Sequence, residues 1–426
     1  MKTIFTYAFL LFSAVAGFAQ NRAVDTTQHI VPNRKNAEAT LSKPYLIVIS
    51  ADGFRYDFAK KYNAKNLLKL AEEGVQAEAM IPAYPSITGP NHYTLMTGMY
   101  PSHTGFVDNW FYDFKRDDYF AMSHQNKISD GSWLGGVPLW SLAERQGVLS
   151  APLFWVAANS DAGGTRPTYY YNYHEQFGID QKIKIVTDWL QLPEDVRPHF
   201  ITFYFPEVDK MGHLFGPETP ETEQAVRFVD ESVGKLMDAV DKLGLPDVNY
   251  IFVSDHGMLR VDIENPLEIP EILLDKERFL YINSQSLLRV HVKNPKEIKQ
   301  VFRQLKKEKT DDYDVFLTKR FPRKLHYAAR DDRFNRIGEI LLVPKAPKIF
   351  LEKNSKVTPG KHGYDPAEVP EMLAVFYAKG PAFRNGITVP PFENVNLYPI
   401  LAKILGLEYS HTIDGNSKTA REVLVD

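Results

Sequence analysis

The sequence predicts an α/β protein, with a largely parallel sheet, helices on both of its faces and a small inserted α+β subdomain. Three observations carry this prediction. Short continuous apolar runs rich in β-branched residues recur along the chain, as in Tyr45-Leu-Ile-Val-Ile-Ser50, and that is the pattern of strands buried on both faces. Amphipathic helical stretches separate several of them, an alternation that parallel strands require. Residues 265–355 break the pattern with more charge and shorter alternating segments.

The elements follow in order. Met1 to Ala19 has one positive charge at Lys2, an apolar run from Ile4 to Ala16 and the small-x-small ending Gly17-Phe18-Ala19. This predicts a cleavable secretory signal peptide over 1–19, because its apolar core is too short to span ~30 Å of hydrocarbon. Residues 20–42 are polar and aperiodic, which predicts a flexible leader. Strands are expected at Tyr45–Ser50, Ala151–Val156, His199–Phe205, Asn249–Ser254, Ile337–Val343 and Leu373–Ala378. Over 218–243, Val226, Val229, Val233, Leu236, Val240 and Leu243 recur at three- and four-residue steps, and Gly244 follows as a C-terminal cap. Phe279–Ile282 and Leu287–Val292 are short runs inside the inserted unit. The expected organisation is therefore a main domain over 43–264 and 356–426, with 265–355 inserted.

Composition narrows the chemistry. The 426 residues hold 50 basic and 53 acidic side chains, a net charge of -3, which argues against nucleic-acid coating. No later stretch approaches the length of a membrane span, so no transmembrane segment is expected in the mature chain. There is no cysteine. Disulfides, thiol nucleophiles and Cys-ligated zinc are excluded, and an exported chain without cysteine suits a bacterial periplasm or its surroundings.

Three of the apolar runs lead directly into an aspartate: Asp52, Asp209 and Asp255. Ligands in open α/β sheets bind beyond the C-terminal strand ends, and carboxylates converging there need a cation between them. Each aspartate alone equally suits a helix cap. Histidines change the balance. Asp209 and His213 are four apart, on one face of a helical turn, and His256 follows Asp255. His362 stands between Gly360 and Gly363, where the backbone has room for a close approach. Carboxylates with imidazoles suit catalytic zinc, with manganese or iron as alternatives. Thr88 lies just ahead of Pro90, at the expected start of a helix whose N–H groups favour an anion, and it is the candidate nucleophile. An N-cap role is the bland alternative, and Ser86 is the nearby competitor.

Taken together, these pieces resemble the nucleotide pyrophosphatase/phosphodiesterase family of the alkaline phosphatase superfamily. The matching segments are Ala51-Asp-Gly53, Thr88-Gly-Pro-Asn-His92, Gly105-Phe-Val-Asp-Asn109, Asp209-x-x-Gly-His213-x-x-Gly-Pro217, Ser254-Asp-His-Gly-Met258 and Gly360-x-His362-Gly. The C-terminal Gly380-Pro-Ala-Phe383 and Glu393 to Tyr398 also resemble it. The resemblance implies an alkaline-phosphatase-like fold and two zinc ions per chain. One would be held by Asp52, Asp255 and His256 beside Thr88, the other by Asp209, His213 and His362. It also implies attack by Thr88 on a phosphate diester or nucleotide-like substrate, with Asn109 donating to a phosphoryl oxygen. The pocket departs from the family: nucleotide-binding members carry Lys-Thr-Phe-Pro around the nucleophile, and this chain has Ile87-Thr-Gly-Pro90. Tyr204 then remains as a stacking surface for a base. A periplasmic phosphate monoesterase and an inactive metal-binding relative are the alternatives. The first lacks the expected Lys-x-Arg pair, with only Arg166 between Ala157 and Tyr173, and all seven positions expected to ligate or attack are present.

Overall fold

The computed structural model describes residues 24–425. The expected signal peptide, 1–19, lies outside the described residues. The main sheet takes its first five strands from Tyr45–Ala51 (β1), Val75–Ala77 (β2), Ser150–Leu153 (β3), Phe200–Phe205 (β4) and Val248–Val253 (β5). A second sheet follows, from Phe279–Asn283 (β6), Leu288–Val292 (β7), Tyr313–Leu317 (β8) and Ile340–Pro344 (β9). The chain then returns to the main sheet with Phe376–Lys379 (β10) and Ile387–Val389 (β11).

The main sheet is seven-stranded, in the order β11-β2-β10-β5-β1-β4-β3. β5, β1, β4 and β3 run parallel, whereas β10 is antiparallel to both of its neighbours. All seven residues of β1 are buried. Leu46 and Val48 face one apolar layer, with Leu95 and Met96 of the helix Thr88–Thr97 and Leu397 and Leu401 farther along the chain. Ile47, Ile49 and Ala51 face the other, against Val226, Val229, Val233 and Leu236. That two-sided burial explains why the strand reads as an unbroken apolar run.

Call the helix Thr88–Thr97 α1; Ile179–Leu190 is α2, Glu207–Phe215 is α3, Pro220–Asp241 is α4 and Ile298–Glu308 is α5. α4 starts on Thr219, whose side chain accepts from Thr222 N, with Pro220 in the first turn. Gly244 follows Lys242, the C-terminal cap, by two residues and takes φ 65°. The second sheet is antiparallel, in the order β6-β7-β9-β8, and Val301 and Leu305 of α5 pack on Leu288, Val290 and Leu342.

The described part of the segment expected as a leader is paired. His29–Ile30 forms a short antiparallel pair with Tyr169–Tyr170. The Asn36 side chain donates to Glu194 O and Arg197 O and accepts from Leu149 N. These bonds satisfy three backbone groups more than a hundred residues away in sequence, a contribution that hydropathy does not register.

His291 of β7 is buried beside Phe114, and burial, with the charge of Arg289 acting the same way, pushes its imidazole down to about 3. The unfolded chain therefore takes up a proton near pH 6.5 that the folded chain refuses. Stability should fall as pH drops from there toward 3, by about 1.4 kcal/mol per pH unit. His291→Gln is expected to flatten this limb in urea midpoints measured against pH. An unchanged slope would contradict a buried neutral imidazole.

Candidate metal and nucleophile centre

β5, β1 and β4 are neighbours, and their C-terminal ends bring Asp255, Asp52 and Asp209 together. Asp52 and Asp255 follow β1 and β5, while Asp209 lies in the first turn of α3. Tyr204 donates to Asp52 Oδ2 at 2.6 Å, and Gly53 N donates to Asp255 Oδ1 at 3.2 Å. The other oxygens are different. Asp52 Oδ1, Asp209 Oδ1 and Asp255 Oδ2 are buried without a hydrogen-bond partner, an arrangement that costs free energy unless a cation or proton meets it.

Imidazoles face these oxygens. His256 Nε2 lies 3.1 Å from Asp255 Oδ2 and 3.5 Å from Asp52 Oδ1. His213 Nε2 is 3.4 Å and His362 Nε2 3.8 Å from Asp209 Oδ1. Each of the three rings is tied at its other nitrogen to a backbone carbonyl: His256 Nδ1 to Gly257 O, His213 Nδ1 to Gly360 O and His362 Nδ1 to Ser86 O, all at 2.8 Å. A carbonyl only accepts, so Nδ1 carries the proton and the Nε2 lone pair points inward, as a metal ligand requires.

Candidate ligand atoms form two groups, Asp209 with His256 and His362, and Asp52 with His92 and Asp255, and within each group the atoms lie no more than 4.8 Å apart. The expected division between two ions put His256 with the aspartates of the second group. In the structure its ring stacks on His362 at 3.6 Å and borders both groups.

Electrostatics reflects the crowding. Burial raises the Asp52 carboxyl well above the usual carboxylate range, and the charges of Asp255 and Asp209 add to it. Burial opposes charge on Asp255 too, but His256 and His92 beside it hold that carboxyl well below the range. Burial, with the charges of His256 and His213, keeps His362 well below the usual histidine value, hence neutral. The donor set of three carboxylates and three imidazoles whose Nε2 atoms face inward fits zinc.

Thr88 opens α1, two residues earlier than its proline suggested, and its hydroxyl is 3.1 Å from His256 Nε2. The N-cap residue is Ile87, with no side-chain cap bond, so the Thr88 hydroxyl is not spent on capping. Ser86 is fully buried, donates to Tyr364 O and accepts from Gly363 N. It thus holds the His362 loop and offers no nucleophile. Asn109 Oδ1 accepts from Gly89 N at 2.8 Å, which leaves its Nδ2 as the free donor. A Cβ at Gly89 would stand 2.6 Å from both Asn109 Oδ1 and Phe106 Cζ, so only glycine admits Asn109 to the helix end.

Three residues escaped the sequence argument. His92, one turn after Thr88 and fully buried, lies 3.2 Å from Asp255 Oδ2 and 2.9 Å from Ser50 Oγ; its four-residue spacing from Thr88 was the available signal. Arg289 of β7 is fully buried and donates to Asp108 Oδ2 at 2.9 Å and to Trp110 O at 2.7 Å, gripping both neighbours of Asn109. Ser284 also bonds Asp108. Tyr173 is the third. It is 49% exposed and borders the cleft beside Thr88, which Tyr204, the expected stacking surface, also lines at 9% exposure with its hydroxyl committed to Asp52.

Three clefts adjoin the centre. One of about 280 Å³ runs from Thr88 past Phe154, Trp155 and Tyr173. A central one of about 510 Å³ exposes Thr88, Asn109, Asp209, His213 and His362. A third of about 520 Å³ extends from Asn109, His213 and His362 toward the β6–β7 hairpin.

Residues 46–365 match the model of the type I phosphodiesterase/nucleotide pyrophosphatase family. The chain belongs to this family. A pyrophosphatase/phosphodiesterase of Schizosaccharomyces pombe is 32% identical over 399 residues, 89% of this chain and 80% of its own length. A venom phosphodiesterase of Macrovipera lebetinus is 33% identical over 375 residues, covering 85% of this chain, and the rat ectonucleotide pyrophosphatase/phosphodiesterase family member 3 is 31% identical over the same length, covering 86%. This chain spans only 43% and 42% of those two proteins. Among solved structures, murine ectonucleotide pyrophosphatase/phosphodiesterase 5, an inactive threonine-to-alanine variant in complex with AMP, superposes with a TM-score of 0.82 at 27% identity. That match covers 90% of this chain and 100% of that one. The alkaline-phosphatase-like α/β architecture is thus common to both.

Proposed function

We propose that the protein is an exported, zinc-dependent phosphodiesterase acting on a nucleotide-like diester through a phosphothreonine on Thr88. The observation that carries this reading is the Thr88 hydroxyl, uncommitted to capping, at the mouth of a basin of orphaned carboxylate oxygens and inward-facing imidazoles. Asp52, Asp255 and His256 would hold one zinc beside Thr88, and Asp209, His213 and His362 a second. Bound there, the two ions would act as Lewis acids, lowering the hydroxyl pKa and neutralising charge on the entering and leaving oxygens.

The chain's own residues do the rest. Thr88 Oγ1 forms the bond to phosphorus in line with the leaving oxygen, and water later hydrolyses the phosphothreonine. Asn109 Nδ2, aimed by the Gly89 N–H bond at its other atom, donates to a non-bridging oxygen as charge builds there. Tyr204 steadies Asp52 through its hydroxyl, and Trp155 and Tyr173 wall the cleft that takes the retained half of the substrate. The murine relative's AMP and its inactive threonine-to-alanine variant support this reading by analogy. The expected signal peptide supports export, and among the described residues no helix is long and apolar enough to cross a membrane.

The monoesterase reading is disfavoured by charge. A monoester carries one more negative charge than a diester, yet none of the described residues lining the three clefts is an arginine, and of the two lysines there Lys210 is paired with Glu175 at 2.6 Å and Lys361 lines only the hairpin cleft. Arg166 instead donates to the carbonyls of Asn159 and Ser129. Bis(p-nitrophenyl) phosphate should therefore be hydrolysed with a higher kcat/KM than p-nitrophenyl phosphate. Equal or reversed values would overturn the diesterase reading.

A further inference from the structure

We propose that the cleft between α2, α3 and α4 is a second ligand site, separate from the metal centre, for a free α-amino acid with an aromatic side chain. The inference goes beyond the reading of Thr88 as nucleophile and does not depend on it. The cleft has a volume of about 560 Å³. It shares Tyr173, Glu175, Pro206 and Lys210 with the central basin, and Lys210 donates to Glu175 at 2.6 Å. Three other lining residues, His174, Lys182 and Glu207, border neither the basin nor the aromatic cleft. Each of them holds a polar atom that the fold leaves short of a partner.

His174 is buried, and its Nδ1 accepts from Gln176 N at 3.2 Å. The proton therefore sits on Nε2, which is buried without an acceptor. Lys182 of α2 is buried as well. Its Nζ lies 5.8, 5.9 and 5.7 Å from the ring centres of Phe154, Phe203 and Phe205, and its hydrogen bond is a 3.3 Å contact with Tyr204 O. The charges of Glu207 and Glu175 reach this ammonium, yet among the described residues neither carboxylate comes within 4 Å of it. Glu207 opens α3, and its Oε2 is buried without a donor. An ammonium and an imidazole N–H thus border one cleft with a carboxylate oxygen, and no bond joins them. Buried polar groups left in that state cost free energy, and a ligand that bridges them recovers it.

A carboxylate and an ammonium on one carbon meet all three groups. The carboxylate accepts from Lys182 Nζ and His174 Nε2, and the ammonium donates to Glu207. A simple acid or a simple amine would leave one of the two protein charges uncompensated. The side chain has its own place in the cleft. Phe177 and Met211 are half-buried in the wall, and Phe215 of α3 and Phe228 of α4 are 43% and 38% exposed. An aromatic side chain laid against these rings removes apolar surface from water and packs ring on ring. The site also lies against the catalytic centre: Lys182 donates to the carbonyl of Tyr204, which holds Asp52, and Glu207 shares α3 with Asp209 and His213.

Calorimetric titration of the zinc-loaded protein tests this with three probes that share one ring: L-tryptophan, indole-3-propionate, which lacks the amine, and tryptamine, which lacks the carboxylate. L-Tryptophan should bind saturably, and each of the other two more weakly by about tenfold, the scale of one charge-assisted hydrogen bond. Lys182→Met keeps an apolar stem among the three phenylalanines. It should weaken L-tryptophan and indole-3-propionate by about tenfold and leave tryptamine unweakened. Glu207→Gln should weaken L-tryptophan and tryptamine to the same degree and leave indole-3-propionate unweakened. Thermal melting of each variant checks that it is folded, and His174→Gln replaces Lys182→Met if that one is not. Wild-type protein that shows no saturable binding of L-tryptophan, or equal affinity for all three probes, overturns the site. Binding that the folded variants leave unmoved lies at the metals or elsewhere, and overturns it equally.

Discussion

Thr88→Ala is expected to lower turnover of bis(p-nitrophenyl) phosphate by about a thousandfold or more while about two zinc ions per chain stay bound. The two halves of this expectation have separate physical origins. Turnover depends on the one hydroxyl that lies 3.1 Å from His256 Nε2 and is free of a capping bond. Metal retention would depend on Asp52, Asp209, Asp255 and the three histidines, whose Nδ1 bonds to backbone carbonyls do not involve the Thr88 side chain. Steady-state assays with metal analysis of the same sample check both. Thr88→Ser, which restores a hydroxyl at the helix end, should regain part of the loss. Near-wild-type turnover by the alanine variant would remove Thr88 from the reaction.

Metal removal is the second large effect. A chelator-treated protein should lose essentially all diesterase activity and regain it with about two equivalents of zinc per chain. It should also melt at a lower temperature, for a reason independent of catalysis. Asp52, Asp209 and Asp255 leave one buried oxygen each without a partner, and ions that bind only the folded chain stabilise it in proportion to their affinity. Calorimetry of the stripped and reloaded protein, with manganese and iron as parallel additions, identifies the effective metal. Full activity after verified stripping would rule out the metal-assisted route.

How much of this was legible in the sequence follows from what each element buries. β1, β4 and β5 announce themselves because water touches neither face, so every position is apolar. β2 and β11, three residues each and near or at the sheet edge, carry too short a pattern to stand out. The run over 373–378 gave a strand but not its direction, since antiparallel β10 buries the same side chains that a parallel strand would. At the site, Asp209 and His213 were legible because helical spacing puts them on one face. Tyr204 lines the cleft beside Thr88, but an aromatic ring beside a strand end says nothing of where its hydroxyl goes, and here it goes to Asp52. Arg289 acts through partners in a distant segment, which no local pattern encodes, whereas the only trace of His92 was its four-residue spacing from Thr88.

Arg289 has a consequence for the modularity of the fold. The inserted sheet looks like a unit that relatives could exchange freely, having its own core around Val290, Val301 and Leu342. Its most buried cation, however, neutralises Asp108 and holds the backbone on either side of Asn109. Grafting a foreign insert onto this chain would leave Asp108 without its counter-charge and the Asn109 amide without its brace. Recombination at the insert boundaries therefore has to carry the arginine and the aspartate together, as a matched pair split between donor and recipient.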